Sequence, residues 1–321
     1  MPTLGIDLGG TKLATAVFGD DGEILHRDSV PLGGRAGRDV GALIVERVRD
    51  LLRRPGRPRH ARDPRPAVGV AVPGIYRAST GTVWAPNIPG WDDYPLLDEL
   101  RAGVPSGTRV TVDSDRAAYI LGETWRGAAR GARDALFVAV GTGIGVGILA
   151  DGRVVRGHAG IAGAAGWLAL DRPYRDEYAG CGCFEYHASG PGLVKVAREL
   201  AGQDPSYTGA LRRPAASGDL TTADLFAEYE RGDPLATRVI DDAVEHWGMG
   251  AANLVSLLDP EVVVFGGGVF GPAARFLDRV RAVAARWGQP ISMRSVSFVA
   301  SALGGDAGLY GAGRLALMEE S

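Results

Sequence analysis

The sequence predicts a two-domain α/β protein with a duplicated fold and a nucleotide held in the cleft between its halves. Three observations carry that prediction. A short apolar strand runs into an acidic residue and a glycine pair at Gly5-Ile6-Asp7-Leu8-Gly9-Gly10-Thr11-Lys12. The same strand–turn–strand chemistry returns in the second half at Gly141-Thr142-Gly143-Ile144-Gly145. A chain of 321 residues suits two domains and can bury a sizeable core.

Taken in order, Thr3 to Ile6 reads as a buried strand and Leu13 to Phe18 as its return. Gly19-Asp20-Asp21-Gly22 turns the chain into a third strand, Glu23 to His26. The glycines let the backbone turn sharply and let a bulky anion approach. A Walker P-loop sits between strand and helix and needs a longer spacing, so this hairpin is not one. Its backbone N–H groups, the Thr11 hydroxyl and the Lys12 ammonium still suit the phosphates of a nucleotide. Asp7 suits the water shell that Mg²⁺ usually keeps.

A helix follows from Arg38 to Leu52, with Val40, Leu43, Ile44, Val48 and Leu51 at helical spacing. The arginine- and proline-rich run from Arg53 to Pro66 reads as a solvated loop in preference to a phosphate-binding patch. Ala67 to Val72 is a buried strand ended by Pro73-Gly74. Trp84-Ala85-Pro86-Asn87-Ile88-Pro89-Gly90-Trp91 is either a stiff platform that stacks on a sugar or a packed connecting loop. Leu96 to Leu100 is a short helix. Arg109 to Val112 is a strand with Asp113-Ser114-Asp115 at its C-terminal end, where α/β sheets bind ligands. A helix from Arg116 to Trp125 comes next. Asp113 or Ser114 suits its cap; one carboxylate would suffice for that, so a second invites a chemical role.

In the second half, Phe137 to Val140 and Val146 to Leu149 flank the second glycine turn. Gly157 to Trp167 is too glycine-rich for a helix. Cys181-Gly182-Cys183-Phe184-Glu185-Tyr186-His187 leads into a helix from Leu193 to Leu200. A polar excursion covers Gln203 to Asp219. Thr221 caps a helix to Glu230 with Asp224 at the reciprocal position, and Pro234 opens a longer helix to Leu258. Val262 to Phe265 is a buried strand stopped by Gly266-Gly267-Gly268, which lets a flat ring lie against the backbone. A helix from Ala273 to Trp287, a strand near Ser295 to Val299 and a helix from Asp306 to Met318 complete the chain.

Composition excludes several classes. The formal net charge of −3 makes no electrostatic case for nucleic acid. No apolar run reaches membrane-spanning length, and the first strand starts too early for a signal peptide. Two cysteines, Cys181 and Cys183, argue against a disulfide framework and fit the cytoplasm. A lone Cys-x-Cys with a histidine is a weak zinc signature, since structural zinc normally has four ligands.

The ordered set resembles the ROK-family sugar kinases. It comprises the Gly5–Lys12 hairpin, Val72-Pro73-Gly74, Asp115 before Leu121-Gly122-Glu123, the Gly141–Gly145 turn, Gly182-Cys183-Phe184-Glu185, Phe265-Gly266-Gly267-Gly268 and Gly305-Asp306-Ala307-Gly308. The resemblance implies the actin/hexokinase-like ATPase fold: two α/β domains with mixed sheets around a cleft. Residues 1–115 would form the smaller domain, joined by the C-terminal helix of about 304–321, and 116–303 the larger. It further implies Asp115 as catalytic base. Asp7, Gly9, Gly10, Thr11, Lys12, Gly141, Thr142 and Gly143 would hold the phosphates of ATP with Mg²⁺, and Gly266 and Gly267 the adenosine. Asn87, Ser114, Trp167 and Glu185, with Asp115, would meet the sugar. A homodimer is implied too.

Three departures stand out. The family's Asn-Asp is Ser114-Asp115. Its Glu-x-Gly-His, which grips the sugar and gives a zinc ligand, reads Ala164-Ala165-Gly166-Trp167. Its Cys-x-Cys-Gly-x-x-Gly-Cys runs from Asp176 to Cys183, and of four zinc ligands only Cys183 matches. A loop held by packing, with no structural zinc, is therefore expected. So is phosphorylation, at the 6-hydroxyl, of a modified hexose in preference to glucose: an amino sugar such as kanosamine (3-amino-glucose). Asp113 beside Asp115 either favours a cationic sugar or caps the helix. The family also contains sugar-responsive repressors, but the phosphate motif begins at Gly5, which leaves no segment ahead of it for a DNA-binding helix-turn-helix. A catalytically dead sugar-binding protein is the other rival. Loss of the Glu and His supports it, and retention of Asp115 and both hairpins opposes it.

Overall fold

The computed structural model describes residues 3–19, 21–53, 66–212 and 219–318. The arginine-rich segment lies largely outside them, as does part of the polar excursion before Thr221. The first part of the chain forms β1 (Thr3–Leu8), β2 (Lys12–Phe18), β3 (Ile24–Pro31), α1 (Arg38–Arg53), β4 (Ala67–Val72), β5 (Ile75–Arg77), β6 (Thr82–Trp84), α2 (Leu96–Gly103), β7 (Arg109–Ser114) and α3 (Asp115–Arg126). The rest forms β8 (Ala135–Val140), β9 (Ile144–Ala150), β10 (Arg153–Val154), α4 (Cys183–Ala188), α5 (Gly190–Gln203), α6 (Thr222–Glu230), α7 (Pro234–Leu258), β11 (Val262–Gly266), α8 (Leu277–Trp287), α9 (Pro290–Ser295), β12 (Ser297–Ala300) and α10 (Ala307–Leu317).

Two compact units result. One comprises Met1–Ala132, Gly147–Ala162 and Gly305–Ser321; the other comprises Arg133–Val146 and Gly163–Gly304. The boundary expected at residue 115 falls one helix short of Ala132, because α3 packs against α10 inside the first unit.

In the first unit the sheet order is β3-β2-β1-β4-β7, with β1, β4 and β7 parallel. Side-chain alternation sorts its two faces. Leu4, Ile6, Leu8, Val68, Val70, Val72, Val110 and Val112 share one core with Val40, Ile44 and Val48 of α1 and Leu96 and Leu100 of α2. The other face carries Gly5, Asp7, Gly69 and Ala71, which are small or polar, and α10 lies directly on it. There Ala71, Ala118 of α3 and Ala312 of α10 form a tight alanine cluster. Glycine is required at the crossing of α3 and α10. A Cβ at Gly311 would be driven into the Ala118 carbonyl, and one at Gly122 into the Ala307 carbonyl.

In the other five-stranded sheet the order is β10-β9-β8-β11-β12, and β8, β11 and β12 run parallel. Within the second unit α7 buries Val239, Ile240, Val244, Trp247 and Val255 and packs on α8. Thr221 and Asp224 form the expected reciprocal cap of α6.

Several local expectations change. The Trp84–Trp91 platform is in part core: Trp91 is 1% exposed, stacks on Tyr94 at 4.5 Å, and donates its Nε1–H to the Gly37 carbonyl at 3.0 Å. The segment from Cys183 is helical. The strand expected near Ser295 begins at Ser297, because Pro290, with the Gln289 side chain as cap, opens α9 first. A 3₁₀ turn, Pro272–Phe276, replaces the first turn of the helix expected from Ala273.

Gly311→Ala forces α10 away from α3. We expect a loss of about 1–3 kcal/mol, typical of overpacking, read as a lowered urea midpoint. An unchanged midpoint would mean that α10 is not seated as described.

Candidate active site

Parallel pairing brings three strand ends of the first unit to one edge. They are Leu8 before the glycine pair, Val72 before Pro73-Gly74, and Ser114 before α3. In the hairpin, Gly9 N–H donates to the Lys12 carbonyl at 2.9 Å, leaving Gly10, Thr11 and Lys12 exposed at the tip. Asn87 lies against Gly10, close enough that a Cβ there would sit 3.5 Å from the Asn87 Cβ. The first-unit site residues Asp7, Gly9, Gly10, Thr11, Lys12, Asn87, Ser114 and Asp115 therefore sit around one edge of one sheet.

Asp115 is the first residue of α3, where free N–H groups favour a carboxylate. Its Oδ1 accepts from the Arg116 N–H at 2.8 Å. Burial raises its pKa to about 6, against the pull of the Arg116 guanidinium, the Arg116 N–H and a hydrogen bond from the Tyr119 hydroxyl one turn on. Asp7 is raised to about 7 by burial, then by the Asp115 charge and Asp306, with Lys12 opposing. Gly308 of α10 lets the helix backbone close over Asp7, a Cβ there falling 2.6 Å from Oδ2. Asp306 is itself held by Arg27, at 2.6 Å. Two half-buried carboxylates that resist ionising together, beside hairpin backbone, suit a hard divalent cation.

Asp113 takes neither role expected of it. Its Oδ1 accepts from the Ser114 N–H at 2.8 Å, and its Oδ2 is 2.8 Å from Arg156 Nε and 2.7 Å from an Arg156 terminal nitrogen. The cap is Ser114, whose hydroxyl accepts from the Ala117 N–H at 3.3 Å. Arg156 opens the glycine-rich 157–162 segment, and Arg116 reaches the Gly74 and Gly160 carbonyls at 3.4 and 3.3 Å. The aspartate charge that would have favoured a cationic sugar is thus spent on Arg156.

The second unit repeats the arrangement. β8 and β11 are parallel, so Gly141-Thr142-Gly143 and Gly266-Gly267-Gly268 share an edge. The Gly190 N–H donates to the Gly141 carbonyl at 2.8 Å, bringing the start of α5 there too. Gly267 has φ +88° and lies against the Val140 carbonyl, while nothing stands within 4 Å of a Cβ at Gly268. The result is an open, flat strip of backbone. Glu185, on α4, accepts from the Ile144 N–H through Oε2 at 2.8 Å, and that carboxylate lies against Gly143 and Gly166. Burial pushes its pKa up. Trp167 is 58% exposed, so its flat face is not consumed by packing.

Sequence reasoning missed Tyr119, Arg116 and Arg156. Tyr119 had a signal, since it stands four residues after Asp115 on the same helix face. Arg156 had none, since it meets Asp113 across 43 residues.

The chain matches the ROK family model over residues 3–319. It is 32% identical to a glucokinase of Halalkalibacterium halodurans, covering 99% of this chain and 96% of the relative. Its fold is similar to a ROK hexokinase from Thermus thermophilus, with a TM-score of 0.76, 32% identity, and 99% and 98% of the two chains covered. It is also similar to a ROK family glucokinase from Streptomyces griseus in complex with glucose and AMPPNP, with a TM-score of 0.73, 29% identity, and 99% of each chain covered.

We expect Asp115→Asn to lower turnover by roughly two to four decades while sugar binding, measured by calorimetry, stays near wild type. Near-normal turnover would remove Asp115 from the role of base. The raised pKa sets a pH limb. A carboxylate that is to take up a proton must be ionised, so kcat/KM should fall as pH drops through about 6, where an ordinary aspartate would hold its activity to about 4. A limb at about 4 would contradict the half-buried, coupled pair.

Proposed function

The chain belongs to the ROK family and is a sugar kinase with the actin-like ATPase fold. From that premise we propose that it moves the γ-phosphoryl group of ATP to the 6-hydroxyl of a hexose, an amino sugar such as kanosamine being favoured over glucose. The observation that carries the reading is Asp115: a half-buried carboxylate at the start of a helix, on the same sheet edge as a glycine hairpin bearing Thr11 and Lys12.

Asp115 accepts the proton of the sugar hydroxyl as its oxygen attacks phosphorus, and ADP leaves with the electrons of the broken P–O bond. The transferring group needs positioning and charge neutralisation more than covalent help. The N–H groups of the Gly9-Gly10 and Gly141–Gly143 turns, the hydroxyls of Thr11 and Thr142, and the Lys12 ammonium meet the phosphates. Gly266 and Gly267 accommodate the adenosine. Asp7 would hold Mg²⁺, which would supply charge neutralisation at those phosphates. Asn87, Ser114 and Glu185 hold sugar hydroxyls, and Trp167 offers its face. The family's zinc motif is not kept here, since of its four ligands only Cys183 matches.

The preference for a modified sugar rests on Ala164 and Trp167, which replace a carboxylate and an imidazole. Ala164 has no side-chain donor or acceptor, and Trp167 has a single N–H. Each lost polar contact is worth about 1 kcal/mol or more, so two would weaken glucose by roughly one to three decades in kcat/KM. The charge of Asp113 no longer adds to this preference. Ordinary glucokinase activity is the second reading, supported by 32% identity to a glucokinase over 99% of this chain. We further infer a cytoplasmic homodimer whose ligands are ATP and a small-molecule sugar, with neither nucleic acid nor membrane as partner. Among the described residues no helix is long and apolar enough to cross a membrane.

An ADP-release assay should compare glucose, glucosamine, 3-amino-glucose, mannose and N-acetylated sugars under one set of conditions. We expect an amino sugar to exceed glucose in kcat/KM by at least tenfold. Glucose leading by a wide margin would establish the second reading.

A further inference from the structure

Three metal-ligating side chains of the second unit meet at a place the kinase reading does not use. Asp171 follows the Trp167 turn, His187 stands in the last turn of α4, and His246 lies in α7. One donor atom from each falls within 4.8 Å of the others. His187 Nε2 is 3.6 Å from Asp171 Oδ2 and 2.8 Å from the Tyr178 hydroxyl. The imidazoles of His187 and His246 stack, 4.5 Å between centroids and 12° between planes.

His246 carries the strongest indication. Its Nδ1 is 2.8 Å from the Asp242 carbonyl, four residues back on the same helix. A carbonyl only accepts, so the proton is on Nδ1 and Nε2 presents a bare lone pair. That Nε2 is buried and has no hydrogen-bond partner. Leaving such an acceptor unmet is unfavourable. A ring whose Nδ1–H is fixed by a backbone carbonyl, with Nε2 free, is the usual posture of a metal-binding histidine. His187 stands 13% exposed beside it, and its Nε2 faces the Asp171 carboxylate. Asp171 Oδ1 accepts from the Arg172 N–H at 2.7 Å, leaving Oδ2 to face the histidines.

We propose that Asp171, His187 and His246 bind a zinc ion. Two neutral imidazoles and one carboxylate form a borderline nitrogen–oxygen set that suits zinc, whereas Mg²⁺ and Ca²⁺ take oxygen ligands. The fourth position falls to water or to the Tyr178 hydroxyl. Because the rings lie almost parallel, their in-plane lone pairs do not converge, so binding turns one ring out of the stack. The ion fastens the 168–182 loop and α7 to α4, the helix that bears Glu185 two residues before His187. None of these three ligands stands at a position of the family's zinc motif, which falls here on Trp167, Asp176, Tyr178 and Cys183.

The test uses the full chain stripped with chelator and titrated with Co²⁺, then Zn²⁺. We expect about one Co²⁺ per chain, a visible d–d band without a thiolate charge-transfer band, displacement by Zn²⁺, and a rise in Tm on adding zinc. Asp171→Asn, at a side chain 47% exposed, and His246→Gln should each weaken binding at least tenfold. Circular dichroism and the metal-free Tm report whether each variant folds, and the Asp171 variant decides the matter if His246→Gln does not. Less than a tenth of an equivalent bound overturns the proposal. So does binding that survives Asp171→Asn, or that is lost in Cys183→Ser.

Discussion

The edge of the first unit that carries Asp7 and Asp115 depends on how closely α10 lies on the sheet and on α3. Gly5 and Gly69 leave no side chain between strand and helix, and Gly122 and Gly311 let the two helices touch backbone to backbone. The closeness is geometric before it is energetic. It buries Asp7 under Gly308 and aligns α3, whose first residue is Asp115. Bulkier residues there would add apolar contact on that face and open the space around the carboxylate.

That burial has an electrostatic consequence. The raised pKa values of Asp7 and Asp115 mean that the folded state binds protons more tightly than the unfolded chain. Stability contributed by these two groups therefore falls as pH rises from about 4 toward 7. The unit keeps an unfavourable charge pair at neutral pH, and a bound cation relieves it. Lys12, Arg116 and the Tyr119 hydroxyl offset part of it meanwhile. Strain of this kind belongs with function more than with stability.

Much of this was legible in the chain. The glycine hairpins, the helix after Asp115 and the reciprocal cap at Thr221 are local chemistry, in which neighbours in sequence are neighbours in space. What stayed hidden depends on distant partners. Asp113 looked like a cap or a cation site until Arg156 arrived from the far side of β10. Trp91 looked like a stacking surface because its spacing says nothing of Tyr94 lying flat against it. The histidines at 187 and 246 carry no ligand spacing, since one turn of α4 and the middle of α7 supply them separately. The loop expected to rest on packing alone therefore has a metal-binding alternative that no motif announced.

The docking of α10 also bears on how a cell makes the molecule. A ribosome delivers β1 well before α10, yet the first unit needs both. The second unit can condense while the first still waits for its closing helix. During that interval Asp7 faces water and ionises like any surface aspartate. Nascent chains therefore cannot shape the edge that carries Asp7 and Asp115 until α10 arrives. A chain cut before Ala307 would leave a second unit with all of its elements attached to a first one without its closing helix.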